Sequence, residues 1–232
     1  WVGDEAVMMA EKLKNVPILT GPDRFQTGRY ALKTYGIDTL ILDDGFQHLA
    51  LCRDLDILLC DHQRPLGNNH LFPAGELREP ASETRRADMV CFTRYSGGGI
   101  KFSPKFLSSI PQIKTHLRLD SIINMENGDV CDAEVLKCQP VIAFCGIANP
   151  EGFRQILQDV QVQLKMFKAF PDHHEYSLND IKELESIASE EGVKFILVSE
   201  KDAVKLKNIK LSLPFFKVVI DLEILEGREI FN

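Results

Sequence analysis

Short apolar segments recur along the chain and alternate with amphipathic ones. Several apolar segments are continuous, which is typical of strands buried on both faces of a parallel sheet. The segments predicted as strands are residues 17–21, 39–42, 55–60, 89–93, 141–145, 195–199 and 215–220. Apolar residues spaced three or four apart predict helices at residues 5–14, 150–160, 178–191 and 201–206. The alternation predicts an α/β fold with a mostly parallel sheet flanked by helices.

Two segments depart from this pattern because apolar and polar residues alternate in them. Residues 113–125 alternate throughout and residues 162–170 do so in part. Alternation indicates one solvated face, so we predict antiparallel edge strands, or a β insertion near residues 95–135. We place a boundary near residues 137–141, so that residues 1–138 form a larger lobe and residues 139–232 a second, smaller α/β lobe.

Composition excludes several classes of protein. The 232 residues carry a net charge of −7, which argues against a nucleic-acid partner. No apolar run approaches the roughly 20 residues of a membrane-spanning helix, and we expect neither such a helix nor a signal peptide. The six cysteines form no CxxC pair, and several lie in apolar runs. This pattern predicts free thiols in a reducing compartment rather than a zinc site.

One stretch of the chain reverses the overall negative charge. Residues 85–118 contain seven lysines and arginines and a single acidic residue, Asp88. Aromatic residues are interleaved with them: Phe92, Tyr95, Phe102 and Phe106. A solvated basic face is the simpler interpretation. The alternative is contact with an anionic membrane surface, where each basic residue adds about 1 kcal/mol.

The most informative motif follows the strand predicted at residues 39–42. Asp43 and Asp44 come directly after this apolar segment, in the sequence TLILDDGFQH. A buried strand that ends in aspartate is the pattern of a Walker B element, which brings a carboxylate to the ligand-binding edge of the sheet. There the carboxylate holds Mg²⁺ beside a nucleotide phosphate. An ordinary Asp-Gly turn is the alternative.

Three further motifs carry candidate chemistry. The sequence Pro-Asp-His-His at 171–174 could bind a metal or exchange protons, although two histidines in a polar loop need no function. Arg78, in a proline-bounded turn, is suited to phosphate, but a salt bridge to Glu76 or Glu79 is equally natural. Ser199 begins a segment whose backbone could receive an anion; we favour a helix cap there. No GxxxxGK[ST] motif occurs in the sequence, so the Walker-B-like segment is half of a nucleotide site.

Taken together, these motifs resemble those of the tetraacyldisaccharide 4′-kinase family, the lipid A 4′-kinases. The combination of DDGFQH, PAGxLREP and FPDHH, preceded by Gly-Asp-Glu at 3–5, occurs in the family's order and covers nearly the whole chain. The resemblance implies a P-loop-NTPase-like fold. It also implies a kinase that uses ATP and Mg²⁺ to phosphorylate the 4′-hydroxyl of the lipid A tetraacyldisaccharide 1-phosphate precursor.

The resemblance also implies roles for individual residues. Asp4 corresponds to the base that removes the hydroxyl proton, and it is paired with His173. An aspartate is a weak base, so an imidazole partner that orients it is physically useful. The residues implied for Mg²⁺ are Asp43 and Asp44. The residues implied for substrate or phosphate contact are Arg24, His48 and Arg78.

The chain departs from the family pattern in three respects. Glu76 replaces a proline, Ser199 replaces a threonine, and the phosphate-binding loop of the family would lie before Trp1. Phosphoryl transfer depends on that loop, so we expect no turnover from this chain as given. Two alternatives remain: a non-catalytic protein that binds the lipid A precursor or a membrane surface, and a Mg²⁺-dependent phosphohydrolase built on the two adjacent aspartates.

The resemblance extends to location. Members of the family work at a membrane surface, so we expect a peripheral protein with the basic residues of 85–118 facing the lipid. The expected compartment is the cytoplasmic face of the inner membrane for a bacterial source and the mitochondrion for a plant source.

Overall fold

Residues 3–95, 97, 107–207 and 209–231 are described by the computed structural model. The chain forms two units. Unit 1 comprises Trp1–Pro22 and Arg118–Asp221, and unit 2 comprises Asp23–Leu117 and Leu222–Asn232. This division does not coincide with the boundary placed near residues 137–141, because the first helix packs with the C-terminal half of the chain. Lys101, Phe102, Lys105 and Phe106 of the basic stretch lie outside the described residues.

Four parallel strands form the buried part of the sheet in unit 1. They are β5 (Pro140–Cys145), β6 (Gln163–Ala169), β7 (Ile196–Ser199) and the first part of β8 (Phe215–Glu226), in the order β8-β7-β5-β6. Residues 141–145 of β5 are completely buried, and β5 pairs with β6 on one edge and with β7 on the other. The continuous apolar run at 141–145 therefore predicted a central parallel strand correctly.

Four helices of unit 1 correspond to the predicted ones. They are α1 (Asp4–Lys12), α3 (Pro150–Asp159), α4 (Leu178–Glu190) and α5 (Glu200–Ala203), the last continued by a 3-10 turn at Val204–Leu206. The apolar stripe of α4 buries Ile181, Leu184 and Ala188 in the main core. Among the described helices, none combines the length and the apolar composition needed to cross a membrane.

Phe144, near the carboxyl end of β5, lies at the centre of an aromatic cluster in the core of unit 1. Its ring contacts those of Phe170, Tyr176 and Phe215, with centroids 5.2–6.0 Å apart and edge-to-face geometry. Edge-to-face aromatic pairs are favourable beyond the apolar area that they bury. Because Phe170 is the first residue of the loop that contains His173, this cluster packs against the start of that loop.

Helix α4 begins with a capping box. Ser177 Oγ accepts a hydrogen bond from the Asp180 backbone N–H, and Asp180 Oδ2 accepts one from the Ser177 N–H at 2.8 Å. The backbone and hydroxyl donors of Ser177, aided by His174, lower the pKa of Asp180 although partial burial opposes the shift. The ionised carboxylate is thus part of the cap.

Replacing Asp180 with alanine is expected to lower the free energy of unfolding by about 1 kcal/mol at neutral pH. A carboxylate whose folded pKa is depressed stabilises the protein above its unfolded pKa, and this contribution is lost as the pH falls through the folded pKa. Urea unfolding of the two proteins should therefore differ at about pH 7 and converge as the pH falls below the depressed folded pKa of Asp180. Glu175→Gln, at an exposed neighbouring position, is the matched control; an equal loss there would contradict the capping role.

Unit 2 contains a second set of parallel strands, β1 (Ile57–Asp61), β2 (Met89–Thr93) and the start of β3 (Gln112–Asn124), in the order β1-β2-β3. It also contains α2 (Arg24–Tyr35) and 3-10 turns at Ala81–Arg86, Leu107–Ser109 and Arg228–Phe231. Its core is small and includes Cys60, Leu66, Val90, Phe92 and Leu107.

Helix α2 was not predicted from the sequence. The Asp23 side chain caps it by accepting a hydrogen bond from the Gln26 N–H at 3.0 Å, and Gly36 ends it with a left-handed backbone. Both end signals are visible in the sequence. The helix buries only Ala31, and its larger apolar side chains, such as Phe25 and Leu32, are exposed.

Other predictions of strands were wrong. Residues 17–21 and 39–42 form no strand. A strand requires a hydrogen-bonded neighbour, and neither segment pairs with another strand in the described residues; Ile41 is 93% exposed. Residues 162–170 contain β6, which is parallel rather than antiparallel. The alternating segment 113–125 is β3, parallel to β2 at its start and antiparallel at its end to β4 (Val130–Asp132).

Candidate functional site

Asp4 is the first residue of α1. Gly3 lies at the N-cap position, and Asp4 and Glu5 occupy the first turn, where the helix dipole favours negative charge. The Asp4 side chain is 28% exposed, so it is partly shielded yet accessible. Helix α1 packs against α5 and the 3-10 turn that follows it, and this contact sets the position of the carboxylate within unit 1.

His173 lies in the loop that follows β6. The Phe170 N–H donates to the Cys145 carbonyl at 2.8 Å, and the His173 N–H donates to the Gly146 carbonyl at 3.2 Å. These bonds hold the loop at the carboxyl end of β5, the edge where parallel sheets bind ligands. The backbone of His173 is left-handed, with φ of 59°, and its side chain is 61% exposed.

The structure brings Asp4 and His173 together. His173 Nδ1 lies 3.6 Å from Asp4 Oδ2, which is an ion-pair distance rather than a hydrogen bond. Hydrogen bonds between catalytic groups are often long without substrate and shorten when it binds. The neighbouring His174 has a different environment: its ring stacks on Phe170 at 4.6 Å, and its Nε2 lies 3.2 Å from Asp180. Of the two histidines, only His173 faces Asp4.

Two lysines complete this cluster, and the sequence analysis did not single them out. Lys201 Nζ lies 3.1 Å from Glu5, 3.4 Å from Asp172 and 3.5 Å from His173 Nε2. Lys205 Nζ lies 3.4 Å from Asp4 Oδ2. Their i,i+4 spacing, which puts both on one face of a helix, was the available sequence signal. The cluster therefore contains two cations as well as the acid and the imidazole.

Charge interactions in this cluster shift two pKa values. Burial of Asp172 opposes ionisation, but the charge and hydrogen bond of Lys201 outweigh it and lower the pKa of Asp172. Burial likewise opposes the charge of Lys201, yet its bonds to Glu5 and Asp172 raise the pKa of that lysine. Both groups are therefore ionised near neutral pH.

Ser199 caps the short helix α5, as predicted. Its Oγ accepts a hydrogen bond from the Asp202 backbone N–H at 3.2 Å and donates one to Asp202 Oδ2 at 2.5 Å. Asp202 is completely buried and also accepts from the Gly146 N–H at 2.8 Å. A Cβ on Gly146 would lie 3.0 Å from both the Pro171 carbonyl and the Tyr176 hydroxyl, so this glycine permits the close approach.

The segment with Asp43 and Asp44 lies in unit 2. Both aspartates are exposed and lie in a turn, and no strand precedes them. Arg53 holds the following residues: its guanidinium pairs with Asp56 and donates to the His48 carbonyl at 2.7 Å. The loop is therefore anchored by its backbone, which leaves the two carboxylates accessible to solvent.

The carboxylate oxygens of Asp43 and Asp44 are suitable ligands for a cation. The part of the protein that the structure describes does not supply a full set of ligands there. Among the described residues, no three His, Cys, Asp or Glu side chains are grouped to hold a metal. Mg²⁺ characteristically takes only one or two carboxylates and fills its other positions with water and substrate phosphates. Asp43 and Asp44 fit that pattern.

Arg78 has the free guanidinium that a phosphate contact requires. Its two acidic neighbours are engaged elsewhere: Glu76 with Arg64 at 3.5 Å and Glu79 with Arg86 at 2.9 Å. Arg78 is exposed and forms no ion pair in the part of the chain that the structure describes. The salt-bridge alternative for Arg78 is therefore wrong.

The remaining residues implied for substrate contact lie in unit 2 with Arg78. Arg24 is the first residue of α2, and its side chain is half-buried. His48 is also half-buried and lies in the loop anchored by Arg53. Their contact with substrate remains a prediction.

Comparison with known proteins gives consistent matches. The family model described as tetraacyldisaccharide-1-P 4′-kinase (LpxK) matches residues 1–230. A tetraacyldisaccharide 4′-kinase of Syntrophus aciditrophicus is 38% identical over 236 residues, covering 96% of this chain and 63% of the relative. One of Pelobacter propionicus is 39% identical, covering 90% of this chain and 57% of the relative. The chain thus spans about three fifths of the length of these curated relatives.

A solved structure matches as well. The crystal structure of LpxK from Aquifex aeolicus in complex with ATP is 32% identical and superposes with a TM-score of 0.75, covering 98% of this chain and 66% of that one. This likeness confirms the predicted fold class, a P-loop-NTPase-like, mostly parallel α/β sheet flanked by helices.

Proposed function

Because this chain belongs to the tetraacyldisaccharide-1-phosphate 4′-kinase family, we propose that it contributes to transferring a phosphoryl group from ATP to the 4′-hydroxyl of the lipid A tetraacyldisaccharide 1-phosphate precursor. The observation that carries the proposal is the 3.6 Å approach of His173 to Asp4 at the carboxyl end of a parallel sheet. An accessible carboxylate beside an imidazole is an arrangement suited to deprotonating an alcohol.

In the proposed reaction, the Asp4 carboxylate accepts the proton of the 4′-hydroxyl as its oxygen attacks the γ-phosphorus of ATP. The bond from that phosphorus to the bridging oxygen breaks, and ADP leaves. The His173 ring orients the carboxylate and shares the proton. Phosphoryl transfer depends mainly on positioning and charge neutralisation, so a base held at the start of α1, beside the loop that follows β6, is an appropriate contribution from this segment.

Asp43 and Asp44 are proposed to hold Mg²⁺. Their oxygens are the hard ligands that this ion prefers, and their exposure leaves room for water and phosphate. Mg²⁺, when bound, neutralises negative charge on the nucleotide phosphates. The unpaired guanidinium of Arg78 is proposed to bind a phosphate oxygen, with Arg24 and His48 as further substrate contacts.

The nucleotide phosphates also need a cradle of backbone N–H groups and a lysine, and no GxxxxGK[ST] motif occurs in the 232 residues. We therefore propose that the cradle is supplied by sequence other than these residues. The acceptor is an anionic amphiphile, so we also propose peripheral association with an anionic membrane through the basic residues of 85–118. The proposed compartment is the mitochondrion in a plant and the cytoplasmic face of the inner membrane in a bacterium.

The test is a hybrid protein in which residues 1–232 replace the aligned part of the Syntrophus relative. Incubated with ATP, Mg²⁺ and the tetraacyldisaccharide 1-phosphate, the hybrid is expected to form the 4′-phosphorylated product, measured by mass spectrometry. Product formation should stop with EDTA and resume with added Mg²⁺.

The unaltered Syntrophus relative and the 232-residue chain alone serve as controls. A folded hybrid that binds the acceptor but forms no product would contradict the proposal and favour the non-catalytic binding protein. Release of inorganic phosphate from the acceptor without ATP would instead favour the phosphohydrolase.

A further inference from the structure

Lys205 is the most buried cation of the Asp4 cluster. Only 4% of its side chain is exposed, yet its Nζ lies 3.4 Å from Asp4 Oδ2. It also lies 3.4 Å from Asp202 Oδ1 and donates to the His174 carbonyl at 3.2 Å. One ammonium group therefore contacts three segments: the start of α1, helix α5 and the loop that carries His173.

The anchor of Lys205 is Asp202, which is completely buried. Hydrogen bonds from the Ser199 hydroxyl and the Gly146 N–H fix the carboxylate of Asp202 to the ends of β7 and β5. The ring of Tyr176 lies beneath the Lys205 ammonium, with its centroid 5.9 Å away. The ammonium is thus held by several groups besides Asp4.

The charges around Lys205 do not balance. Lys205 carries one positive charge and faces two carboxylates, those of Asp4 and Asp202. Because Lys205 also faces the buried Asp202, its single positive charge is shared between two carboxylates rather than directed at Asp4 alone. A base needs both a fixed position and a retained negative charge.

We infer that Lys205, anchored by Asp202, is a positioning residue that holds the Asp4 carboxylate against His173. This inference rests on the proposed function of Asp4. It differs from a purely structural ion pair between Lys205 and Asp202, because it requires that Lys205 act on His173 through Asp4. Among the described residues, the polar groups near the His173 ring are Asp4, Asp172 and Lys201, and Lys205 is not one of them.

The test is a double-mutant cycle followed by NMR on the 232-residue chain. This measurement does not require the chain to be catalytically active. The ring Cε1–H signal of His173 is identified by its loss in His173→Gln. Lys205→Met is expected to displace this signal in the wild-type background and to leave it unchanged when Asp4→Asn is already present. Lys207→Met, which removes a lysine paired with Glu11 further along α1, is the matched control and should displace nothing.

Equal displacement in both backgrounds, or none in either, would overturn the inference. If Lys205→Met does not fold, the double variant Asp202→Asn/Lys205→Met removes the buried pair without leaving an unpaired charge, and it enters the same cycle.

Kinetics of the hybrid provide a second readout. Lys205→Met is expected to lower kcat about 10- to 100-fold with little change in KM, as for a misplaced catalytic group. In the Asp4→Asn background, Lys205→Met should lower kcat by less than about 3-fold, because the effects of residues that act as a unit are not additive. An inactive hybrid would count against the proposed function alone, since the NMR cycle still decides the role of Lys205.

Discussion

Replacing Asp4 with asparagine in the hybrid kinase is expected to lower kcat by about 10²- to 10⁴-fold, the usual contribution of a general base. Asparagine keeps the shape of the side chain but cannot accept the hydroxyl proton. KM for the acceptor should change little, because the loss falls on the transition state. Initial rates of 4′-phosphate formation, measured over a range of acceptor concentrations, separate the two constants.

Glu11→Gln is the matched control because Glu11 is also an acidic residue on α1 but pairs with Lys207, away from His173. It is expected to retain wild-type turnover. If Asp4→Asn also retained it, Asp4 would not be the base, and another group would have to accept the proton.

Replacing Phe144 with alanine is expected to lower the free energy of unfolding by about 3–5 kcal/mol, the range for deleting a buried phenylalanine ring. Phe144 is completely buried, and its ring contacts three other aromatic rings. The cavity left behind would lie directly beneath the loop of His173. Urea unfolding followed by circular dichroism measures the change.

Phe72→Ala serves as the control, since Phe72 is 80% exposed, and we expect it to change stability by less than about 0.5 kcal/mol. A small effect at Phe144 would mean that the aromatic cluster can collapse into the space. The loop would then depend less on the core than its contacts indicate.

The parts of the fold that the sequence predicts are those decided by local apolar pattern. Residues 141–145 are apolar without interruption, and they form the central strand of unit 1. Residues 39–42 have the same local character, but they form no strand because pairing depends on a neighbour that local pattern does not specify. Helix α2 shows the converse, since its ends are marked in the sequence while Ala31 is the one residue of the helix that is buried.

The candidate site was predictable to a similar extent. The pairing of Asp4 with His173 followed from the family resemblance, because no spacing rule relates residues so distant in the chain. Lys205 was missed because a lysine in a short amphipathic helix ordinarily points to solvent. Its burial depends on Asp202, whose own burial depends on Ser199 and Gly146. The burial of Lys205 therefore depends on contacts between segments that are distant in the sequence, and local sequence pattern does not reveal such contacts.

The left-handed backbone of His173 limits how this position can vary. Residues that adopt positive φ at low cost are glycine and, less readily, asparagine and aspartate, whereas β-branched residues are strained there. Few single substitutions can therefore remove the imidazole and keep the local chain path. We therefore expect that a chain that has lost the imidazole more often carries glycine or asparagine there than valine or isoleucine.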